Sequence, residues 1–433
     1  MTSFDVTRRA IVAVSLVTAL AACSSPAPLA TPTTMPSDAG SFSSATPAPS
    51  ITPAGDGIMR IGTIFPTTGT FSFLAAAQKA GVAAAVKEIN AAGRVNGEPV
   101  EVVAVDSGEA KKTTVESNFK TLVAKDVDVV IGPSSSVLAQ RAIALAMDAK
   151  IPVISPAATL SSLDDVFDDG YFFRTIPAYD QQGYALAEAL AGGSAAKKIA
   201  FVYIADEQGT ALHDTFVSAL AERDTELVAD EVFTGSTTNF DEIVANLRKA
   251  EPDVVVVGST YDSQKATRAA IEKITSAGFK SSALWLTSLN TGDYSQAFKN
   301  GTLKGVRGVI EGVQPSRSFI ATLKETNPKL TSYRYAAEAY DATMLAVLAA
   351  IVAQDDAGEA IAGTLYDVSK GGVKCLNFAE CLEVLKTTND IDYDGVSGPV
   401  NFTPEGNVEP AFWGYYAYNG ENKFVYTSGA IFG

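Results

Sequence analysis

Short runs of Val, Ile and Phe alternate with longer amphipathic stretches along most of the chain, from about residue 58 onward. This alternation is typical of strand–helix–strand units that build a parallel sheet. The first series predicts strands in MRIGTIFP, VEVVAVDS, VDVVIGPSSS and IPVISPAAT, and helices at 73–93, 111–125 and 136–149. Together these elements predict one doubly wound lobe.

A second series of the same kind follows. It predicts strands in KIAFVYIAD, ELVADEVF, PDVVVVGST and ALWLTS, and helices near 208–223, 239–250 and 262–277. Two further helices, near 316–326 and 333–353, are too isolated to form a third domain, so we expect them to return and cover the first lobe. The predicted fold class is therefore α/β, with two doubly wound, Rossmann-like lobes.

The N-terminal segment differs from this pattern. Two arginines precede an apolar stretch at 10–22 that is too short to span a bilayer comfortably. This predicts a signal peptide at 1–22. The sequence LAAC, which ends at Cys23, resembles the bacterial lipobox, in which the cysteine is joined to diacylglycerol. We therefore expect an exported protein that is lipid-anchored at Cys23 to the outer face of the cell membrane. An ordinary secretory signal is the alternative, and the general and twin-arginine export routes both stay open.

The segment at 23–56 is dominated by Ser, Pro, Thr, Ala and Gly. It has no apolar periodicity that could offset the entropy lost on ordering. We expect a disordered tether that joins the lipid to the globular part.

The remaining residues, 57–433, are numerous enough to form two lobes. The composition of the chain restricts the functions that these lobes can have. The whole chain is 47% apolar and 19% charged, typical of a large buried interior. A formal net charge of −16 argues against nucleic acid as a partner, because phosphate binding needs a basic surface. No later uncharged apolar stretch is long enough for a membrane span, so membrane contact is expected through the N-terminal lipid.

The reactive side chains are few. Beyond Cys23 the cysteines are Cys375 and Cys381, a close pair that predicts a local disulfide in an exported chain, with two free thiols as the alternative. The single histidine, His213, lies on a predicted helix beside Asp214, which indicates a satisfied surface side chain. With one histidine and no spare cysteine, the chain does not supply the usual ligands of a zinc site. A nucleophile turn and phosphate-binding motifs are missing from the sequence, so we expect no metal site, no cofactor and no enzyme activity.

Eight motifs then carry a resemblance to a known family: IGTIFPTTG, EINAAG, VDS, VIGPSSS, IPVISPAAT, FRTIPAYDQQG, AEAYDA and GPVNFTPEGN. Their order and spacing, over 58–420, resemble the type I periplasmic binding proteins of the leucine/isoleucine/valine-binding class, which serve ABC transporters. The resemblance implies a monomer whose hinged lobes close on a small-molecule ligand and whose partners are ABC permease subunits. A ligand-sensing lipoprotein that acts on a receptor is an alternative, and an exported hydrolase is a less favoured one.

The resemblance also implies how the chain divides between the lobes. The expected boundaries are 57–176 and 316–394 for lobe 1, 177–312 and 395–433 for lobe 2, and crossings near 175–178, 309–315 and 393–400.

Parallel sheets bind ligands beyond the carboxyl ends of their strands, and three such turns in the first lobe are rich in serine or threonine. Helix N-termini and hydroxyl groups there favour an anion. The resemblance places carboxylate-binding roles on Ser136, on Thr159 and on the backbone of Ala157, and Ser135 belongs to the same turn. Helix capping is the alternative role for these hydroxyls.

The second lobe departs from the family pattern. Amino-acid-binding relatives hold the ligand's ammonium with an acidic residue, but Thr287 or Ser288 stands there in this chain. A buried ammonium without an anion costs several kcal/mol. Gln208 replaces a tyrosine that is often present, and Tyr261 or Thr260 falls where another ligand-contacting aromatic residue is expected.

Two further groups of residues have open roles. Asp206, Glu207 and Asp262 are either substitutes for the missing anion or solvated loop charges. Phe73 and Leu74 either line an apolar ligand pocket or pack under the following helix. We therefore expect a small ligand with an acidic or amide-like head, with a branched-chain or other amino acid as a provisional identity.

Overall fold

The computed structural model describes residues 54–93, 95–192, 197–221, 223–260 and 264–432. They belong to one compact unit, Thr52–Gly433. The predicted signal peptide, Cys23 and the tether as far as residue 53 lie outside the described residues, as does Tyr261.

The described strands are β1 Arg60–Phe65, β2 Glu101–Asp106, β3 Val129–Ile131, β4 Val153–Ser155, β5 Phe172–Arg174, β6 Lys198–Ile204, β7 Glu226–Phe233, β8 Val254–Gly258, β9 Leu284–Leu286, β10 Arg307–Glu311, β11 Val373–Cys375, β12 Ile391–Gly395, β13 Gly398–Pro399, β14 Ala411–Tyr418 and β15 Phe424–Phe432. The described helices are α1 Ser72–Ala92, α2 Thr114–Val123, α3 Ser136–Ala149, α4 Gln182–Ala191, α5 Glu207–Leu220, α6 Asp241–Ala250, α7 Gln264–Ser276, α8 Arg317–Thr326, α9 Ala336–Ala353, α10 Gly358–Val368 and α11 Phe378–Leu385.

The first lobe is built on a parallel sheet with the strand order β2-β1-β3-β4-β5. Its strands are apolar and mostly buried because helices cover both faces, α1 and α9 on one side and α2 and α3 on the other. After β3 the chain turns at Gly132, whose φ is +106°. A Cβ there would lie 2.6 Å from the carbonyl oxygen of Ile64, so this turn requires glycine.

The second lobe is built on a sheet with the order β15-β14-β10-β9-β8-β6-β7. The strands from β6 to β10 run parallel, and β14 and β15 add an antiparallel edge. Apolar side chains fill both faces of this sheet. Two mainly parallel α/β lobes confirm the predicted fold class.

Helix α9 is long and apolar enough to span a membrane by length and composition alone, but 83% of that window is buried inside the protein. Small and aliphatic residues cover all of its sides, so it packs as a central helix of the first lobe. Helix α8 packs beside it against α1.

The start of α9 holds the segments that connect the lobes. The Thr175 hydroxyl donates to the carbonyl oxygen of Glu338 at 2.8 Å, and the amide of Val313 donates to the Glu338 carboxylate at 3.2 Å. One turn later, Asp341 accepts hydrogen bonds from the amides of Val396 and Ser397 at 3.0 and 2.7 Å. One helix end therefore fixes three distant parts of the chain.

The third passage between the lobes differs from the expected 393–400. Val400, Phe402 and Val408 lie in the first-lobe core, and the Phe402 ring packs 5.0 Å from that of Phe173. The chain joins the second sheet only at β14, so the second part of lobe 2 begins near Ala411 rather than at 395. The family resemblance placed this passage too early because the contacts of Phe402 with the first lobe are long-range.

Two predicted features near the edges of the fold have clear counterparts in the structure. Cys375 and Cys381 form a disulfide, which confirms the predicted local pair. The end of the expected tether is ordered, because the amides of Ala54 and Gly55 donate to the Asp355 carboxylate at 2.8 and 2.9 Å.

Candidate functional site

The turn between β3 and α3 carries three serines with three different roles. The Ser134 hydroxyl donates to Gln78 at 2.7 Å, and the Ser136 hydroxyl accepts from the amide of Leu160 at 3.1 Å. Ser135 is the N-cap residue of α3, but its side chain makes no capping bond. Within the described part of the chain, the Ser135 hydroxyl therefore keeps its hydrogen-bonding capacity for another group.

The turn after β4 lies against this serine turn. The Ser155 hydroxyl accepts from the amide of Ala158 at 3.0 Å, and the carbonyl oxygen of Thr159 accepts from the amide of Tyr179 at 2.7 Å. The Thr159 side chain makes no hydrogen bond to any other described residue. The first amides of α3 and the hydroxyls of Ser135 and Thr159 thus form a group of donors suited to a carboxylate.

Arg174 holds this second turn, and it was not among the residues predicted from the sequence. Its guanidinium is fully buried and donates to the carbonyl oxygens of Ala158 and Leu160 at 3.3 and 3.0 Å and to Asn407 at 2.6 Å. It also forms an ion pair with Asp164. The available signal was a charged residue inside the apolar strand YFFR.

The two hydrophobic candidates on α1 have different surroundings. Leu74 packs with Ala157, Ile176 and Tyr335 in a small buried cluster. Phe73 is 49% exposed and lines a cavity between the lobes. Leu74 therefore packs under the ligand turn, whereas Phe73 is half-exposed at the cavity.

Thr287 of the second lobe is fully buried within the protein's own hydrogen bonds. Its hydroxyl contacts the Tyr179 hydroxyl at 3.0 Å and Asn290 at 3.0 Å. The amide of Ser288 donates to Gln182 at 2.8 Å, and the Ser288 side chain is buried. Neither residue supplies a charge or an accessible acceptor for an ammonium.

Asp206 and Thr260 lie together at the start of α5. Asp206 caps the helix by accepting from the amide of Gly209 at 2.8 Å, and its second oxygen accepts from the Thr260 hydroxyl at 3.0 Å. Thr260 lines the interlobe cavity. Gln208 is half-buried in the first turn of α5 and does not line it.

The cavity has a volume of about 330 Å³ and is lined by residues of both lobes. From the first lobe come Phe73, Ser332 and Arg334; the charged residues contributed by the second lobe are Arg268 and Asp293. Among the described residues that were predicted to bind ligand, Phe73 and Thr260 line it. Ser135, Ser136, Ala157 and Thr159 form their own group on the first lobe.

Buried acids lie behind the cavity at the hinge. Glu311 accepts from the Tyr335 hydroxyl at 2.5 Å and from Arg334 at 3.0 Å, so residues of one lobe hold a carboxylate of the other. Burial raises the pKa of Glu338 to about 8 and that of Asp341 to about 6. The sequence gives no local signal for this group, because its members meet only in the fold.

Tyr335 itself has φ +61°, an unusual conformation for a bulky residue. Tyr335 is the last residue before α9, and its side chain packs in the small buried cluster with Leu74, Ala157 and Ile176. Such conformations persist only where the surroundings impose them and are frequent at ligand sites.

Within the described ranges, no group of three or more His, Cys, Asp or Glu side chains could hold a metal ion. His213 lies between Asp214 and Asp230, at 2.8 and 2.9 Å, on the outer side of the second lobe.

Comparisons with known proteins agree with this geometry. The sequence profile described as periplasmic binding protein matches residues 59–414. The chain is 25% identical over 356 residues to the chemotactic signal transduction system substrate-binding protein BasB of Halobacterium salinarum, a match that covers 79% of this chain and 83% of that protein.

Solved structures give the same result for the fold. The branched-chain amino acid transporter substrate-binding protein LivJ from Streptococcus pneumoniae, in complex with isoleucine, matches with a TM-score of 0.64 at 21% identity, covering 86% of this chain and 99% of that one. An ABC transporter solute-binding protein from R. palustris, in complex with benzoate, matches with a TM-score of 0.59 at 19% identity, covering 87% and 97%. Because the profile match spans most of the sequence, the chain belongs to the periplasmic binding protein family, a family of binding proteins rather than enzymes.

Proposed function

We propose that this protein is the extracytoplasmic substrate-binding component of an ABC importer and captures a small carboxylate- or amide-bearing solute between its lobes. The observation that carries this proposal is the start of α3, where the hydroxyls of Ser135 and Thr159 lie beside the first helical amides without hydrogen-bond partners among the described residues. The names of the structural neighbours, which bind isoleucine and benzoate, support an organic acid as the ligand.

Ligand binding and lobe closure are coupled in this proposal. A ligand held at α3 stabilises the closed form only through additional contacts with the second lobe. We assign these contacts to Thr260 and Arg268, which line the interlobe cavity. No bond is made or broken. The closed form is then recognised by the permease subunits.

The lipid anchor at Cys23 is part of the same proposal and rests on the LAAC sequence after an apolar segment. It would keep the protein close to a permease in the cell membrane. The mass of the mature N-terminal peptide tests it, since an unmodified Cys23 would contradict the anchor.

Alanine at both Ser135 and Thr159 should weaken binding of an acidic ligand by about 100-fold or more, because hydrogen bonds to a charged group contribute about 1.5–3 kcal/mol each. Thermal shift with 4-methylpentanoate, 3-phenylpropanoate, leucine and phenylalanine measures this, since a ligand of the native state raises the melting temperature.

The matched control carries alanine at Ser117 and Thr121. These two substitutions remove the same side-chain atoms from the exposed face of α2. It should keep the ligand-induced shift. An undiminished shift in the Ser135 and Thr159 variant would contradict the proposed anion site.

A sensory role is the second candidate, and the H. salinarum relative, a substrate-binding protein of a chemotactic signal transduction system, favours it. Both roles use the same hinge and the same ligand. Uptake of the ligand by cells that lack the protein separates them: uptake is lost if the protein serves a permease and unchanged if it serves a receptor.

A further inference from the structure

The side chain of Tyr335 joins the two lobes. Tyr335 precedes α9 in the first lobe, and its hydroxyl donates to the Glu311 carboxylate on β10 of the second lobe at 2.5 Å. Both residues are buried, since Tyr335 is 7% exposed and Glu311 is 3% exposed. A hydrogen bond to a charged group that water does not reach is among the strong ones. The contact therefore helps to set the angle between the lobes.

Arg334 reinforces this contact from the neighbouring position. Its guanidinium forms an ion pair with the same oxygen of Glu311 at 3.0 Å and lies 4.9 Å from the centre of the Tyr335 ring. Two adjacent residues of the first lobe thus hold one carboxylate of the second. Any change in the angle between the lobes must move this carboxylate relative to them.

The same tyrosine also contacts the ligand turn. Its side chain packs in a small buried cluster with Leu74, Ala157 and Ile176. Ala157 belongs to the turn after β4 that carries Thr159. Because a protein interior is close-packed, a displacement of this turn is passed on to the tyrosine side chain.

The segment that carries Glu311 is held close to the same helix start by a second contact. Two residues after Glu311, the amide of Val313 donates to the Glu338 carboxylate in the first turn of α9 at 3.2 Å. The bond between Tyr335 and Glu311 therefore lies near the pivot of the hinge. Near a pivot, a small shift on one side becomes a larger rotation of the lobe on the other.

We propose that Tyr335 is a positioning residue that couples carboxylate binding at the ligand turn to the angle between the lobes. This inference rests on the proposed function and names the residue through which the ligand acts on the hinge. A ligand at Ser135 and Thr159 fixes the turn and, through Ala157, the side chain of Tyr335, which then holds its hydroxyl on Glu311. Because coupling is reciprocal, the bond to Glu311 in turn strengthens ligand binding.

Tyr335→Phe keeps the ring in its cluster and removes only the hydroxyl. Couplings between sites commonly change affinity by about 5- to 150-fold, so we expect about tenfold weaker binding. We also expect a smaller ligand-induced decrease in the radius of gyration. Calorimetry and small-angle X-ray scattering on the purified protein measure the two effects. The probe is whichever of 4-methylpentanoate, 3-phenylpropanoate, leucine and phenylalanine raises the melting temperature of the wild type most.

The matched control is Tyr340→Phe. It also removes a buried hydroxyl from a glutamate, because the Tyr340 hydroxyl donates to Glu88 at 2.5 Å, but both of these residues belong to the first lobe. This variant should keep the wild-type affinity and the wild-type change in radius, whatever its melting temperature. It separates coupling between the lobes from a general loss of stability.

Glu311→Leu removes the same bond from the other lobe. In this background Tyr335→Phe should change the affinity by about twofold at most, because residues that act through one shared contact are not additive. Glu311→Gln keeps an acceptor for the Tyr335 hydroxyl and should therefore bind the probe more tightly than Glu311→Leu.

The outcomes separate this inference from the proposed function. An unchanged affinity or an unchanged radius response in Tyr335→Phe, tighter binding by it, or an equal loss in Tyr340→Phe would overturn the coupling role and leave the proposed function standing. A full tenfold effect of Tyr335→Phe in the Glu311→Leu protein would overturn it in the same way. No binding of any of the four probes to the wild type would overturn both.

Discussion

Replacing Arg174 with methionine should lower the free energy of unfolding by about 3–5 kcal/mol, as for other buried ion pairs that lose one partner. Methionine fills much of the same space but leaves the carbonyl oxygens of Ala158 and Leu160 and the side chain of Asn407 without their donor. It also leaves Asp164 without its cation. Denaturation by urea measures the loss directly.

In this variant the ligand affinity should fall together with the free energy of unfolding, because the guanidinium of Arg174 fixes the turn that carries Thr159. Arg174→Lys should recover little, since an ammonium cannot reproduce the fork of donors. The control is Arg141→Met at a partly exposed pair with Glu116, which should cost about 1 kcal/mol or less. A loss at Arg174 no larger than the loss at Arg141 would show that the buried network is not the main support of the turn.

Replacing Glu338 with glutamine should stabilise the protein at high pH by roughly 3–5 kcal/mol and leave it nearly unchanged at pH 4. Burial raises the pKa of Glu338 to about 8, against an ordinary value of 4.5. Between these values the folded state retains a proton that the unfolded state has released. Wild-type stability therefore falls as pH rises through this window, whereas glutamine keeps the acceptor for Val313 without the ionisation.

Unfolding curves from pH 4 to pH 9 measure this difference. The control is Glu359→Gln, at an exposed ion pair with Lys150, which should leave the shape of the pH profile as in the wild type. Parallel profiles for the wild type and the Glu338 variant would contradict a buried, protonated glutamate at the hinge.

Sequence pattern predicted the repeating elements of both lobes well because their signals are local. Helix α3 runs over Ser136–Ala149, as its apolar spacing and serine turn indicate. Helix α9 begins three residues later than predicted, since Tyr335 adopts a left-handed conformation before it. The small sheet of β11, β12 and β13 was not predicted, because strands of two to five residues are too short to show an apolar pattern of their own.

The location of the site was predictable from the sequence, but the roles of its individual residues were not. The sequence shows serines at 134, 135 and 136. Only the fold shows that, among the described residues, the hydroxyls of Ser134 and Ser136 have hydrogen-bond partners and the hydroxyl of Ser135 has none. Arg174 and Tyr179 were missed because a polar group inside an apolar run reveals its partners only when distant segments meet. Ligand-binding roles for the predicted residues stay predictions until a ligand is measured.

The most direct measurement of the central claim is small-angle X-ray scattering of the protein with and without saturating 4-methylpentanoate. Two lobes that hinge about α9 and close on a carboxylate predict a smaller radius of gyration with the ligand, and no change in the variant with alanine at Ser135 and Thr159. An unchanged radius for the wild type with bound ligand would contradict closure.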